Sequence, residues 1–268
     1  MTRPANEPRA RLAHRRLAHR RLAHALAGAV LAAVLAQPST AQPASAPPTP
    51  PPASGTDTGL QPFTAHYVAQ WKSIDVGSSD LDLVRGAEPQ RYVYTWRIRA
   101  GGIFRLIYRH DVVQKSWLQV DGSQVRPLAY EAQDGDSRIH LDFDWSTYRA
   151  SGTVTGKPVD LALKDGTQDL MSIQIQVMQD LRAGRLPSTF WIIDKDQIKD
   201  FDYRRTGTER IATALGELDT VVVTSRRPDG DRVLTMWFAP SLGYVPVRAM
   251  RTRGGRLEFE MRIRRFSR

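Results

Sequence analysis

The stretch Phe63-Thr-Ala-His-Tyr-Val-Ala-Gln-Trp71 decides the fold. Phe63, Ala65, Tyr67, Ala69 and Trp71 alternate with Thr64, His66, Val68 and Gln70. In a strand, successive side chains point to opposite faces, so this period gives one apolar and one wet face. The same period returns along the chain. Tyr92, Tyr94, Trp96 and Ile98 alternate with Arg91, Val93, Arg97 and Arg99. Ile139, Leu141, Phe143 and Trp145 alternate with His140, Asp142 and Asp144. Leu257, Phe259, Met261 and Ile263 alternate with Arg256, Glu258, Glu260, Arg262 and Arg264.

Turn signals separate these runs: Asp121-Gly122, Asp134-Gly135, Pro228-Asp229-Gly230 and Gly254-Gly255. The clearest hairpin joins Val221–Arg227 to Asp231–Phe238. Many strands, short turns and one polar face predict a mainly β domain. Its expected form is an antiparallel meander making a barrel or half-barrel. One segment departs from period two. Leu170, Met171, Gln174, Val177, Met178 and Leu181 fall at helical spacing. The spacing predicts one amphipathic helix of about 15 residues. Asp165 or Thr167 is expected to cap its start, and Gly184 and Pro187 to end it. Its apolar stripe is expected to pack into the curved sheet, leaving Gln176 and Gln179 on the opposite side.

The N-terminus reads as an address. Residues 11–25 repeat the pentad Arg-Leu-Ala-His-Arg, and Ala25 to Ala36 is an apolar run of twelve. As a helix that run spans about 18 Å, against a hydrocarbon core of roughly 30 Å. A basic region, an apolar run and small residues at Ser39 and Ala41 predict a signal peptide over 1–41, with cleavage after Ala36 as the alternative. A mitochondrial transit peptide shares the Arg-rich composition. Residues 42–62, rich in Pro, predict a disordered tether, and 63–268 the folded domain. The processed protein is expected in the periplasm, with no transmembrane segment. Residues 1–41 hold seven of the 38 basic residues and one of the 28 acidic ones. The formal charge of +10 therefore falls to +4 beyond them, too little to argue for nucleic acid. With no Cys, disulfides and thiol chemistry are excluded.

Five blocks occur in a recognisable order: Val125-Arg-Pro-Leu-Ala-Tyr130, Leu141-Asp-Phe-Asp-Trp145, Asp165-Gly-Thr-Gln-Asp-Leu-Met-Ser172, Gly207-Thr-Glu-Arg-Ile211 and Gly243-Tyr-Val-Pro-Val247. Together they resemble the domain-of-unknown-function 3108 family of exported bacterial proteins, from about Phe63 to the C-terminus. The resemblance implies a mostly β envelope protein with no established activity, and it carries over no catalytic residues.

Motif chemistry is sparse. The sequence has no Gly-x-Ser-x-Gly elbow, His-Glu-x-x-His pair or phosphate-binding Gly loop. No enzyme activity, metal or cofactor is expected. His140, Asp142 and Asp144 share a strand face, but alternate residues stand about 7 Å apart. A solvated face accounts for them better than an ion site. Asp194, Asp196 and Asp200 lack the Gly and Glu of a calcium loop. Asp169 is expected in the first helical turn, where a carboxylate meets the positive end of the helix dipole, with a buried Arg126 or Arg97 partner as the sharper alternative. The eight Arg from Arg248 onward fit a solvated strand face, with lipid phosphates as the alternative.

By analogy with curved sheets that enclose ligands, the expected function is binding or carrying an apolar or amphipathic envelope molecule such as a lipid. The alternative is an assembly factor with a filled core. The candidate ligand residues are Tyr92, Tyr94, Trp96, Phe143 and Trp145. No residue pattern names a protein partner.

Overall fold

Among the described residues, fourteen strands form one sheet, every neighbouring pair antiparallel. The computed structural model describes residues 59–71, 74–107 and 109–268. The expected signal peptide and the tether up to residue 58 lie outside them. The strands are β1 (Phe63–Trp71), β2 (Ile74–Arg85), β3 (Arg91–Ala100), β4 (Val112–Asp121), β5 (Gln124–Asp134), β6 (Ser137–Asp144) and β7 (Arg149–Val154). They continue as β8 (Lys157–Ala162), β9 (Thr189–Asp194), β10 (Gln197–Thr213), β11 (Gly216–Arg226), β12 (Arg232–Ala239), β13 (Val245–Arg253) and β14 (Arg256–Ser267). A four-residue helix α1 (Phe104–Ile107) joins β3 to β4, and α2 (Ser172–Arg182) lies between β8 and β9.

Every strand pairs with its sequence neighbour except at one place. The β1–β14 pairing joins the two ends of the domain, and β8 and β9 are left at the edges. The sheet is therefore not closed into a barrel; it is the half-barrel form of the expected meander. The segment before α2 partly covers the β9 edge. Gln168 N–H donates to the Trp191 carbonyl at 2.9 Å, and Ile193 N–H to the Gln168 carbonyl at 2.8 Å. An exposed edge would template pairing with other chains, so this cover has a stabilising role beyond its two bonds.

The expected alternation is seen in β1, where Phe63, Ala65, Tyr67 and Ala69 are buried and their neighbours are not. Core packing begins before the alternation: Leu60, within the expected tether, is 2% exposed, and its carbonyl accepts from the Tyr92 hydroxyl at 3.2 Å. Helix α2 is shorter than the spacing predicts, eleven residues, because residues 165–171 do not join it. Thr167 Oγ1 instead closes a turn on the backbone of Lys164. At the far end Gly184 adopts φ 71°, a left-handed conformation that glycine takes without a Cβ clash.

Helix α2 is also buried on more than one side. Met171, Val177, Met178 and Leu181 enter the core as expected, together with Ile173 and Ile175. Gln176 and Gln179, expected on the outer side, are 9% and 2% exposed. Their amides meet the β4–β5 turn. Gln176 accepts from Val125 N–H at 2.8 Å and donates to the Ser123 carbonyl at 2.9 Å. Gln179 donates to the Gly122 carbonyl at 3.0 Å. A strand turn has its own unpaired backbone groups, and glutamine can satisfy both kinds.

Candidate ligand-binding site

On the other flank of α2, side chains do not fill the half-barrel. A cavity of about 160 Å³ lies between the helix and the sheet. The helix segment contributes Leu170, Met171, Ile173, Gln174 and Val177. The facing wall is built by register. Leu234 on β12 pairs with Ser225 on β11 and Arg251 on β13, and Arg251 pairs with Phe259 on β14. One step deeper, Met236 pairs with Ala249, and Ala249 with Met261. On β12, Arg232, Leu234 and Met236 fall two apart and share a face, so the wall runs from charged to apolar along one strand.

Arginines dominate the polar part of the lining: Arg226, Arg227, Arg232, Arg248 and Arg251 stand there against a single acid, Asp231. Arg251 is 1% exposed, with its Cζ 4.6 Å from the Phe259 ring centroid and Nε 2.7 Å from Glu258. Burial lowers its pKa to about 10, opposed by Glu258, so the guanidinium stays charged at neutral pH. Arg232 uses the same Glu258 at 3.2 Å. Arg227 is 7% exposed; Nε and Nη2 bond Asp229, while buried Nη1 has no hydrogen-bond partner. Arg248 bonds Glu260 at 2.6 Å and lies over Trp237. The hydroxyls of Tyr67, Tyr203 and Ser225, the Gln174 amide and the Trp96 indole complete the polar groups. Tyr67 donates to the Pro246 carbonyl at 2.7 Å, and burial pushes the Tyr203 hydroxyl up to about 12, with Ser225 opposing.

The opposite flank holds a buried carboxylate. Asp169 lies just ahead of α2, and its Oδ1 accepts from Met171 N–H at 2.6 Å and Ser172 N–H at 2.8 Å. Ser116 Oγ donates to Oδ2 at 2.6 Å. These donors replace the expected arginine: Arg97 pairs with Asp82, and Arg126 lies over Trp145. Burial raises the Asp169 pKa to about 6, and the hydrogen bonds oppose it. Its bonds to two backbone N–H groups at the helix start account for it structurally.

The five residues singled out from sequence do not come together. Trp96 lines the cavity and donates Nε1 to Ser79 Oγ at 2.6 Å. Tyr94 is fully buried, and its hydroxyl accepts from the Gln174 amide. Tyr92 packs near Leu60. Phe143 and Trp145 stack on each other with centroids 6.3 Å apart, and Trp145 Nε1 donates to the Pro127 carbonyl. Sequence reasoning missed Arg227, Leu234, Met236 and Arg251. For Leu234 and Met236 the signal was the Arg232–Leu234–Met236 alternation beside the Pro228 turn.

His66 bonds Asp80 at 2.6 Å, and His140 lies 3.1 Å from Asp142. Asp194 is paired with Lys199 at 2.7 Å. Among the described residues no group of three or more His, Asp or Glu is placed to hold a metal ion. No described helix is long and apolar enough to cross a membrane.

Fold and site together define a class: an open antiparallel sheet curled around a buried helix, with an apolar, arginine-rimmed cavity beside it. The chain belongs to the DUF3108 family, described as proteins of unknown function, whose pattern matches residues 63–262. Solved structures similar to the chain include two exported or lipoprotein-described proteins. One is a protein of Bacteroides fragilis described as exported and of YmcC-like fold, 10% identical, covering 77% of this chain and 95% of that one, with TM-score 0.35. The other is a protein of Parabacteroides distasonis described as a lipoprotein, also 10% identical, covering 78% and 96%, with TM-score 0.35. No curated protein matches the chain.

Proposed function

We propose that this protein is exported to the periplasm and there binds or carries an apolar or amphipathic envelope molecule, without acting as an enzyme. The cavity between α2 and β12–β14 carries the reading. Binding sites for small molecules are concave and mostly apolar with a few placed polar groups, and the lining fits that description. Its volume of about 160 Å³ suits one ring or part of one alkyl chain. An apolar protein cavity of about 150 Å³ accepts benzene. Export is supported by the basic repeat and the twelve-residue apolar run ahead of Ser39 and Ala41.

The test is mass spectrometry of protein purified from its own envelope, first native and then denatured. The expected result is a polypeptide beginning at Gln42 and one small molecule released on unfolding. Trp96→Ala should weaken ligand uptake while the domain stays folded. A retained residue 1–41 would overturn export. A bare protein that takes up no amphiphile would leave the alternative, an assembly factor working through its surface.

A further inference from the structure

We infer that the cavity takes a single-chain anionic amphiphile, its tail against Met236, Ala249 and Met261 and its oxyanion head at Arg227 and Arg251. This rests on the carrier reading above and adds the ligand's charge and shape. The first ground is composition at the wall. Five guanidinium groups and one carboxylate line the cavity, and the acids that pair with those arginines, Asp202, Asp229, Glu258 and Glu260, do not line it. A ligand inside therefore meets cations first. The second ground is order. Arg226 and Asp231 at the β11–β12 turn are exposed, whereas Met236 and Met261 deeper in are buried. Polar rim and apolar interior match a molecule with a head at one end and a chain at the other.

The third ground is an unused donor. Arg227 Nη1 is buried without a hydrogen bond, a state that costs free energy and that an oxyanion relieves. Arg presents N–H groups in a planar fork that matches carboxylate and phosphate oxygens. Both heads share this chemistry. The tail is limited by the volume, which holds part of one chain and not the paired chains of a diacyl lipid.

The experiment is calorimetric titration of the protein, purified from the cells that make it, with octanoate, octyl phosphate, 1-octanol and octyltrimethylammonium. The anions are expected to bind about tenfold or more tightly than the alcohol, since a charge-assisted bond is worth about that factor. The cation should not compete with them. Whichever anion binds more tightly names the head, carboxylate or phosphate. Arg227→Gln should bring the anions down to the alcohol's affinity while the alcohol binds within about twofold of its original affinity. Arg227→Lys, which keeps the charge and loses the fork, should fall between. Equal affinity for octanol and the anions in the unmodified protein would overturn the anionic head and leave the carrier reading standing. Binding of none of the four would overturn both. An anion preference that survives Arg227→Gln would put the head elsewhere and overturn the assignment.

Discussion

The two flanks of α2 differ in what they ask of the sheet. Toward β4 and β5 stand Gln176, Gln179 and, just ahead of the helix, Asp169, and the sheet answers each with a backbone or hydroxyl partner. Toward β12–β14 it presents Ile173 and Val177, and the sheet answers with apolar residues and arginines that line a cavity. Directional bonds fix the helix on one side, so the other side need not close on it. A scaffold has reason to fill both flanks; a binder has reason to keep one open.

Truncation should break the symmetry most. Met178→Ala, in the closed core, is expected to cost about 2–5 kcal/mol by denaturant unfolding. Met236→Ala, on the cavity wall, should cost about 1–2 kcal/mol, because a side chain facing a cavity already lacks partners there. Equal costs would mean that the two flanks are packed alike.

Asp169 gives the next effect. Its folded pKa of about 6 lies above the ordinary value of 3.8, so the protonated form favours folding. Its contribution is full below about pH 4 and lost as pH rises through about 6, which amounts to about 3 kcal/mol. Relative to Asp169→Asn, the unmodified protein should therefore lose stability from pH 4 to 6.5. The comparison must be made as a difference, since burial also raises Asp194 and Asp180. Parallel stability curves for the two proteins would contradict the buried carboxylate.

Gln176→Ala sharpens the closed flank. It leaves Val125 N–H and the Ser123 carbonyl without their side-chain partner, at about 1–3 kcal/mol. A cost under about 0.5 kcal/mol would return Gln176 to the solvent side that its helical spacing suggests.

That last contrast shows where sequence pattern stops. Period two places β1, β3, β6 and β14, and the Pro228 turn places the β11–β12 hairpin, because those signals are local. The helix is legible too, but its length is not: the pull of Gln168 toward the β9 edge is a tertiary contact. Helical spacing marks Gln176 as polar, and polarity is taken for exposure unless the turn that needs its amide is known. Arg251 is hidden for the same reason. In sequence it belongs to a basic stripe, most of which is exposed, yet register puts it between Leu234 and Phe259 on the inner face. Local alternation marks the five aromatic residues, and it reports the inner face of a strand and not which part of that face stays open.

Methionine methyl groups test the difference between the flanks most directly. Met171, Met236 and Met261 line the cavity; Met178 is buried outside its lining, and Met250, partly exposed, does not line it either. With methyl-labelled methionine in the full chain, titration with octanoate should shift the resonances of Met171, Met236 and Met261 saturably and leave Met178 and Met250 in place. No saturable shift, or shifts centred on Met250, would contradict a binding site beside α2.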